Sequence, residues 1–113
     1  MLTANCSLLL YNSPVTLSVA IITKDEEENL PRTLDSVEGL LRSLGGEIIV
    51  VDSGSTDRTL AIAAAAGARI FHEPWKGFAG QKNSALDKAA CDWVLSLDAD
   101  EPLEPAAAKP SIL

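Results

Sequence analysis

Four short apolar runs alternate along this chain with three segments of helical pattern, and no other sequence feature constrains the fold as strongly. The first run is rich in β-branched residues and nearly free of polar ones, which is typical of a strand buried on both faces, whereas the third is short and is expected nearer the sheet edge. Strict alternation of strands and helices predicts an α/β domain with a mainly parallel sheet and right-handed crossovers. The predicted strands are residues 15–22, 47–51, 69–72 and 93–97.

The segments between these strands carry the signals of amphipathic helices. Apolar residues recur at helical spacing over 30–44, with Pro31 suited to the first turn and Gly45 to the end. An alanine-rich helix is predicted over 59–66. Residues 73–83, which contain two glycines and a proline, are expected to form a loop that leads into a third helix.

The strand order expected for such a half-sheet is 3-2-1-4, a Rossmann-like arrangement of four strands with helices on both faces. In this order the loops after Ile22 and Leu97 lie side by side, at the crevice where open α/β sheets bind ligands. The domain is expected to span 15–101. Residues 1–14 are predicted to be a leader or ragged N-terminus, and the proline-rich 102–113 an irregular, truncated tail.

An acidic pair, Asp98 and Asp100, directly follows the fourth predicted strand. Side chains at i and i+2 of an extended chain point the same way, so the two carboxylates are expected to converge. Carboxylates this close repel each other unless a hard divalent cation lies beside them. The alternative is a pair of solvated loop aspartates, one of which caps a following helix. The position at the crevice favours a metal site.

The second strand also ends in an aspartate, Asp52, which could accept a hydrogen bond from a ligand N–H. Beyond it, Ser55 is predicted to cap the next helix and Asp57 to lie in its first turn. The polar cluster 23–29 after the first strand is a candidate site loop. Acidic residues before a helix are also favoured by the helix dipole, so a purely structural role for this cluster is the alternative.

The loop over 73–83 combines apolar and cationic residues. Trp75 and Phe78 are expected to be its apolar anchors, and Lys76 and Lys82 could meet a phosphate together with the helix N-terminus. The alternative is an ordinary surface loop with solvated lysines. His72, which is the sole histidine of the sequence, is expected to be structural or solvated.

Charge and motif content exclude several classes of function. A net charge of −7 gives no basic footprint for nucleic acid, so an anionic ligand would need metal ions, backbone amides or local cations. Cys6 and Cys91 lack metal-ligand spacing, which favours a reducing, cytosolic setting. No stretch has the length of a membrane span. Neither a dinucleotide fingerprint nor a P-loop follows the first strand.

Three ordered blocks, 18–30, 49–57 and 97–100, resemble family 2 glycosyltransferases. Residues 71–83 are similar to a subgroup that includes bacterial lipopolysaccharide-core glucosyltransferases. The resemblance covers Val15 to about Glu101. It implies a GT-A fold whose N-terminal half binds a nucleotide-sugar donor, typically a UDP-sugar, for inverting transfer assisted by Mg²⁺ or Mn²⁺.

The resemblance also implies roles for individual residues. The loop after the first strand lines the nucleotide pocket, Asp52 faces the base, and the Asp-x-Asp motif approaches the ribose and the metal–diphosphate. The donor-binding residues carried over are Thr23, Asp25, Glu27, Asp52, Lys82, Asn83 and Asp98, and the metal ligands are Asp98 and Asp100. Many family members have two adjacent acidic residues where this chain has Asp52 and Ser53.

The implied acceptor is a lipid-linked or saccharide acceptor in lipopolysaccharide core synthesis, handled in the cytoplasm and peripherally at the inner membrane. The family's general base lies well beyond the Asp-x-Asp motif, and nothing after Glu101 matches it. The chain is therefore expected to be a donor-binding half that lacks the acceptor half and is inactive alone.

Other classes of protein remain as alternatives. A phospho-accepting receiver domain would need a lysine after a fifth strand, and Pro102 onward offers none. A phosphotransferase with Asp98 as nucleophile would need most of its domain downstream of that residue. A non-catalytic nucleotide-binding fragment is the remaining alternative.

Overall fold

The computed structural model describes residues 2–4 and 16–103, which form one α/β unit. Four strands and three helices alternate in the order that the apolar runs predict, with one further strand at the N-terminus. The strands are β1 (Leu2–Ala4), β2 (Leu17–Thr23), β3 (Gly46–Asp52), β4 (Arg69–His72) and β5 (Trp93–Asp98). The helices are α1 (Leu30–Leu44), α2 (Thr59–Ala65) and α3 (Gly77–Lys88).

The sheet has the order β1-β5-β2-β3-β4. Its four parallel strands confirm the predicted order 3-2-1-4, because β2 pairs with both β3 and β5. The fifth strand, β1, was not predicted. It adds to β5 in the antiparallel direction, with Leu2 opposite Leu95. A three-residue strand is too short to show a period of two, so its pairing is decided by the exposed edge of β5.

Strand β2 is the centre of the molecule, since all seven of its residues are buried. Its side chains alternate between the two faces of the sheet. Val19 and Ile21 pack with residues of α1 and α2, whereas Ala20 and Ile22 pack with Ala85 of α3. Full burial of one such isoleucine stabilises the fold by about 2–3 kcal/mol. This double burial explains why β2 is a continuous apolar run in the sequence.

Helix α1 matches its predicted bounds, and its apolar stripe faces the sheet. Gly45 ends the helix with φ +79°, a conformation that glycine adopts without strain. Gly46 is required for space, because a Cβ there would lie 1.8 Å from the carbonyl oxygen of Leu17. The Thr33 hydroxyl of α1 donates to the carbonyl of Ala99 (2.6 Å), which ties this helix to the turn after β5.

Helix α3 begins at Gly77, so the expectation of a loop over all of 73–83 is wrong for its second half. Glycines there suggested a loop, but Gly80 lies inside the helix, where its missing side chain leaves room for Lys76. Among the described residues, no helix combines the length and apolar character needed to cross a bilayer. The predicted boundaries at 14 and 101 stay predictions, and 5–15 and 104–113 lie outside the described residues.

Candidate functional site

A cleft of about 600 Å³ lies at the carboxyl ends of β2, β3 and β5. Parallel strands bring these ends to one edge of the sheet, and the direction of chain progression reverses between β2 and β5. This is the position at which open α/β sheets bind ligands. Thr23, Asp98 and Asp100 line the cleft among the predicted site residues, together with two aromatic side chains, Trp75 and Phe78.

Asp98 is the last residue of β5 and lies opposite Ile22 in the sheet register. Its side chain lies close to α3, where the Lys82 ammonium is 3.1 Å from Oδ1. This contact is an ion pair without hydrogen-bond alignment, so the buried Oδ1 atom lacks a hydrogen-bond donor. Asp100 is exposed in the turn that follows. Glu101 closes that turn, since its N–H donates to the carbonyl of Asp98 (2.9 Å).

The donor set at the cleft fits a divalent cation only in part. Within residues 16–103, no three histidine, cysteine or acidic side chains are grouped to hold a metal by themselves. The carboxylates of Glu26, Asp98 and Asp100 do line the cleft, and that of Asp98 has an oxygen without a hydrogen-bond donor. Mg²⁺ is commonly bound by one or two carboxylates with substrate phosphates and water completing the coordination. Asp98 and Asp100 therefore fit a cation that shares its ligands with a bound diphosphate.

Asp52 is fully buried and serves as a hydrogen-bond acceptor inside the protein. The hydroxyls of Thr23 (2.6 Å) and Ser55 (2.5 Å) donate to its Oδ1. The N–H groups of Gly54 (2.9 Å) and Ser55 (2.8 Å) donate to its Oδ2. Burial raises the pKa of Asp52, but these hydrogen bonds outweigh it and hold the pKa below its ordinary value. The predicted capping role of Ser55 is wrong, because its hydroxyl is directed to Asp52.

Asp25 and Glu27 join the loop after β2 to the loop after β3. Oδ1 of Asp25 accepts the N–H of Thr56 (2.7 Å), and the Asp25 backbone, at φ +52°, donates to Oγ of Ser55 (2.8 Å). The Glu27 N–H donates to Asp57 (3.2 Å). Neither Asp25 nor Glu27 lines the cleft. We call this set of interlocked side chains, Asp25, Asp52, Ser55, Thr56 and Asp57, the loop latch.

Asp57 lies two residues before α2 and caps it, rather than occupying its first turn. Its Oδ1 accepts the N–H of Thr59 (2.9 Å), the first residue of the helix. The Thr59 hydroxyl in turn accepts the N–H of Glu26 (2.8 Å). The prediction that Asp57 lies in the first turn is therefore wrong, although Asp57 does bond to the start of α2, as the capping interpretation expected of this segment.

The cations predicted near a phosphate have different surroundings. Lys82 reaches Asp98 at the cleft, and Asn83 is exposed on α3. Lys76 instead pairs with Glu73 (2.6 Å). Glu73 also binds Lys88 (2.6 Å) and the Ser84 hydroxyl, and the bonds from Lys76, Lys88 and Ser84 lower the pKa of Glu73 to about 2. His72 is exposed at the end of β4, opposite Asp52, as expected for a solvated residue.

Two features of the site were not predicted. Trp75 and Phe78, expected to be apolar anchors, are 52% and 68% exposed. Gln81 is fully buried on the sheet-facing side of α3, and neither atom of its amide has a partner among the described residues. Its spacing of four from the buried Ala85 is the sequence signal that places it on that face.

An open parallel sheet with a cleft at its switch point defines a Rossmann-like α/β protein. Residues 18–111 match the model of glycosyl transferase family 2, and the chain belongs to this family. An uncharacterised glycosyltransferase of Rickettsia felis is 45% identical over 87 residues, which are 77% of this chain and 29% of that protein. The lipopolysaccharide core biosynthesis glycosyltransferase LpsC of Rhizobium meliloti is 42% identical over 95 residues, covering 80% and 33%.

Solved structures show the same fold. The structure of residues 1–349 of Staphylococcus aureus TarS matches with a TM-score of 0.67 and 25% identity, over 87% of this chain and 31% of that one. Glucosyl-3-phosphoglycerate synthase of Mycobacterium tuberculosis, crystallised with Mn²⁺, UDP and glucosyl-3-phosphoglycerate, matches with a TM-score of 0.60 and 32% identity, over 75% and 33%. The chain spans about three-tenths of the length of these relatives. These neighbours confirm the predicted GT-A type of fold.

Proposed function

We propose that this chain is the donor-binding part of a glycosyltransferase that takes a UDP-sugar together with Mg²⁺ or Mn²⁺. The observation that carries the proposal is the pair of carboxylates, Asp98 and Asp100, in a cleft at the switch point of the sheet. Family membership and the UDP- and Mn²⁺-bound synthase among the structural neighbours support it.

Within this proposal the residues of the cleft have different tasks. Asp98 contacts the ribose and shares the cation with Asp100. Lys82, 3.1 Å from Asp98, balances negative charge at this edge of the cleft. Asn83, next to Lys82 in the sequence, lies near the donor. A divalent cation bound here would neutralise the charge that develops on the diphosphate leaving group.

The loop latch supports the nucleoside end of the donor. Thr23 lines the cleft, whereas Asp25 and Glu27 act through the loops they join. Asp52 fixes the loop after β3 through four hydrogen bonds, so in this proposal it positions the wall that faces the base. The backbone and hydroxyl groups of that wall, including Ser53 in the cleft lining, are the direct contacts.

The finer parts of the proposal rest on the resemblance and the relatives. Inversion at the sugar carbon is the chemistry that the family implies. A saccharide or lipid-linked acceptor of lipopolysaccharide core synthesis is supported by the similarity to LpsC. Action in the cytoplasm, with peripheral contact to the inner membrane, would follow from such an acceptor. The general base that deprotonates the acceptor hydroxyl is not assigned to a residue.

Calorimetry with the 113-residue chain tests the proposal directly. UDP should bind in the presence of Mn²⁺, and a chelator should abolish most of the affinity. Asp100→Asn should weaken Mn²⁺-dependent UDP binding by about 10-fold or more, the equivalent of about 1.4 kcal/mol, because it removes one anionic ligand of the cation.

The matched control is Asp87→Asn, which makes the same change at an exposed position of α3. It should leave UDP binding unchanged. UDP affinity that is insensitive to both the chelator and Asp100→Asn would contradict the metal role. UDP binding without transfer to any acceptor of a saccharide panel would favour the non-catalytic nucleotide-binding alternative.

A further inference from the structure

Trp75 and Phe78 form an exposed aromatic corner on the wall of the cleft. Their ring centroids are 4.9 Å apart and their planes meet at 89°, so one ring presents a face beside the edge of the other. Each is more than half exposed, whereas Phe71 and Trp93 are partly buried in strands. Two large rings left in solvent beside polar residues are typical of a ligand-binding surface.

The aromatic corner is held in place by the chain around it. Phe78 belongs to the first turn of α3. Lys76, which lies between Trp75 and Phe78 in the sequence, forms an ion pair with Glu73. Glu73 also pairs with Lys88 further along the helix. These ion pairs fasten the segment before α3 to the helix itself. A surface that is ordered before binding loses less entropy when a ligand arrives.

The aromatic corner and the acidic pair lie in the same cleft but follow the two outermost strands of the parallel part of the sheet, β4 and β5. The segment with Trp75 follows β4, and Asp98 ends β5, three strand positions away. Strand spacing makes this span about 14 Å at the sheet, and α3 shortens it by running back toward β5. Phe78 lies about 6 Å along the helix axis from Lys82, which reaches Asp98. A ligand whose diphosphate lies at the acidic pair can therefore extend its other end to the rings.

Among the described residues that line the cleft, Trp75 and Phe78 are the aromatic ones. The loops 24–29 and 53–58 have no aromatic residue. They offer polar groups instead, of which Lys24, Glu26 and Ser53 line the cleft. A planar heterocycle needs a ring to stack on and polar atoms at its edge, and this cleft provides both.

We infer that the aromatic corner of Trp75 and Phe78 stacks the nucleobase of the donor, an inference that rests on the proposed function. Stacking on an aromatic side chain is tolerant of base identity, because every base has a π face. Selection of uracil would then depend on the polar groups of the two loops. The corner thus supplies affinity for the nucleoside while the acidic pair and cation supply affinity for the diphosphate.

Titrations with UDP, UDP-glucose and inorganic pyrophosphate, each in the presence of Mn²⁺, distinguish whether the aromatic corner contacts the base, the sugar or the diphosphate. Trp75→Ala should weaken UDP binding about 10-fold, and Phe78→Ala by a similar or smaller factor. Neither variant should change pyrophosphate binding by more than about twofold, because that ligand has no base. UDP-glucose should lose the same factor as UDP.

Fluorescence gives an independent readout. In a Trp93→Phe background Trp75 is the remaining tryptophan. UDP should quench its emission, and pyrophosphate should not. Trp93→Phe should itself bind UDP normally, since Trp93 is partly buried in β5 and does not line the cleft.

Several results would overturn the inference. UDP binding that is unchanged in both alanine variants would exclude stacking. A loss seen with UDP-glucose but not UDP would assign the rings to the sugar, and an equal loss with pyrophosphate would assign them a structural role. If the unsubstituted chain does not bind UDP with Mn²⁺, the proposed function fails and this inference fails with it. Normal UDP binding by the variants contradicts the inference alone.

Discussion

The acidic residues at the ends of β2 and β3 differ sharply from those at the end of β5. In the loop latch, Asp25 accepts a hydrogen bond from Thr56, and Asp57 accepts one from Glu27. Asp52 has four donors, one of them the Thr23 hydroxyl at the end of β2. At β5, Asp100 is exposed and Asp98 has Lys82 beside an oxygen without a hydrogen-bond donor. The first set holds loops together, and the second is available to a ligand. An aspartate at a strand end can serve either purpose, and its hydrogen-bond partners distinguish the two.

The largest effect on stability is expected from Asp52→Ala. Removal of the carboxylate leaves two hydroxyls and two N–H groups without their acceptor in a buried or partly buried site, and we expect a loss of about 3 kcal/mol in the free energy of unfolding. Urea denaturation followed by circular dichroism measures it. Asp52→Asn should cost less, because one amide oxygen still accepts. A loss below about 0.5 kcal/mol for Asp52→Ala would show that the latch does not stabilise the fold.

A fall in pH should lower the free energy of unfolding by less than Asp52→Ala does, because a protonated carboxyl group can still accept hydrogen bonds. The pKa of Asp52 is lowered in the folded protein, and that of Glu73 falls from its ordinary 4.5 to about 2. The folded state therefore binds fewer protons than the unfolded state in this range, so stability falls as pH falls. The contribution of Glu73 is complete above pH 4.5 and is lost toward pH 2.

Thermal melting between pH 7 and pH 2 tests this dependence. The melting temperature should be nearly level above pH 5 and decline below it, and Glu73→Gln should make the decline shallower. A profile for Glu73→Gln that superimposes on that of the unsubstituted chain would contradict the role given to Glu73.

A smaller loss is expected from Asp57→Ala, which removes the cap of α2 and one tie between the loops. Loss of a helix cap typically costs about 1 kcal/mol. Asp57→Ser retains a capping oxygen and should recover part of that loss, as measured by urea denaturation. If the serine variant is as unstable as the alanine variant, capping is not the reason for the effect.

The smallest change in stability is expected at the cleft itself. Asp98→Asn should alter the free energy of unfolding by less than about 0.5 kcal/mol, because ion pairs between partly exposed side chains, such as that with Lys82, contribute little. The same variant should weaken Mn²⁺-dependent UDP binding. A large loss of stability in Asp98→Asn would mean that the β5 carboxylates resemble the loop latch, and the comparison between the two regions would fail.

Local patterns predicted the architecture well. The four parallel strands, their order and the bounds of α1 follow from runs of buried residues, helical periodicity and the fixed hand of crossovers. Errors occurred where a short or ambiguous signal depended on packing. Strand β1 needs the free edge of β5, and α3 starts earlier than its glycines suggested because Gly80 makes room for Lys76.

The sequence by itself determined that acidic and polar residues would meet at one edge of a parallel sheet, since strand order and chain direction are set by local pattern and chirality. Only the tertiary structure decided their tasks. Asp25 and Thr56 are 31 positions apart, and such partners cannot be read from local spacing. The same holds for Trp75 and Phe78, which are apolar in sequence yet remain in solvent because no described element covers them. Burial and hydrogen-bond pairing are properties of the assembled fold, and they distinguish the aspartates of the loop latch from Asp98 and Asp100 at the cleft.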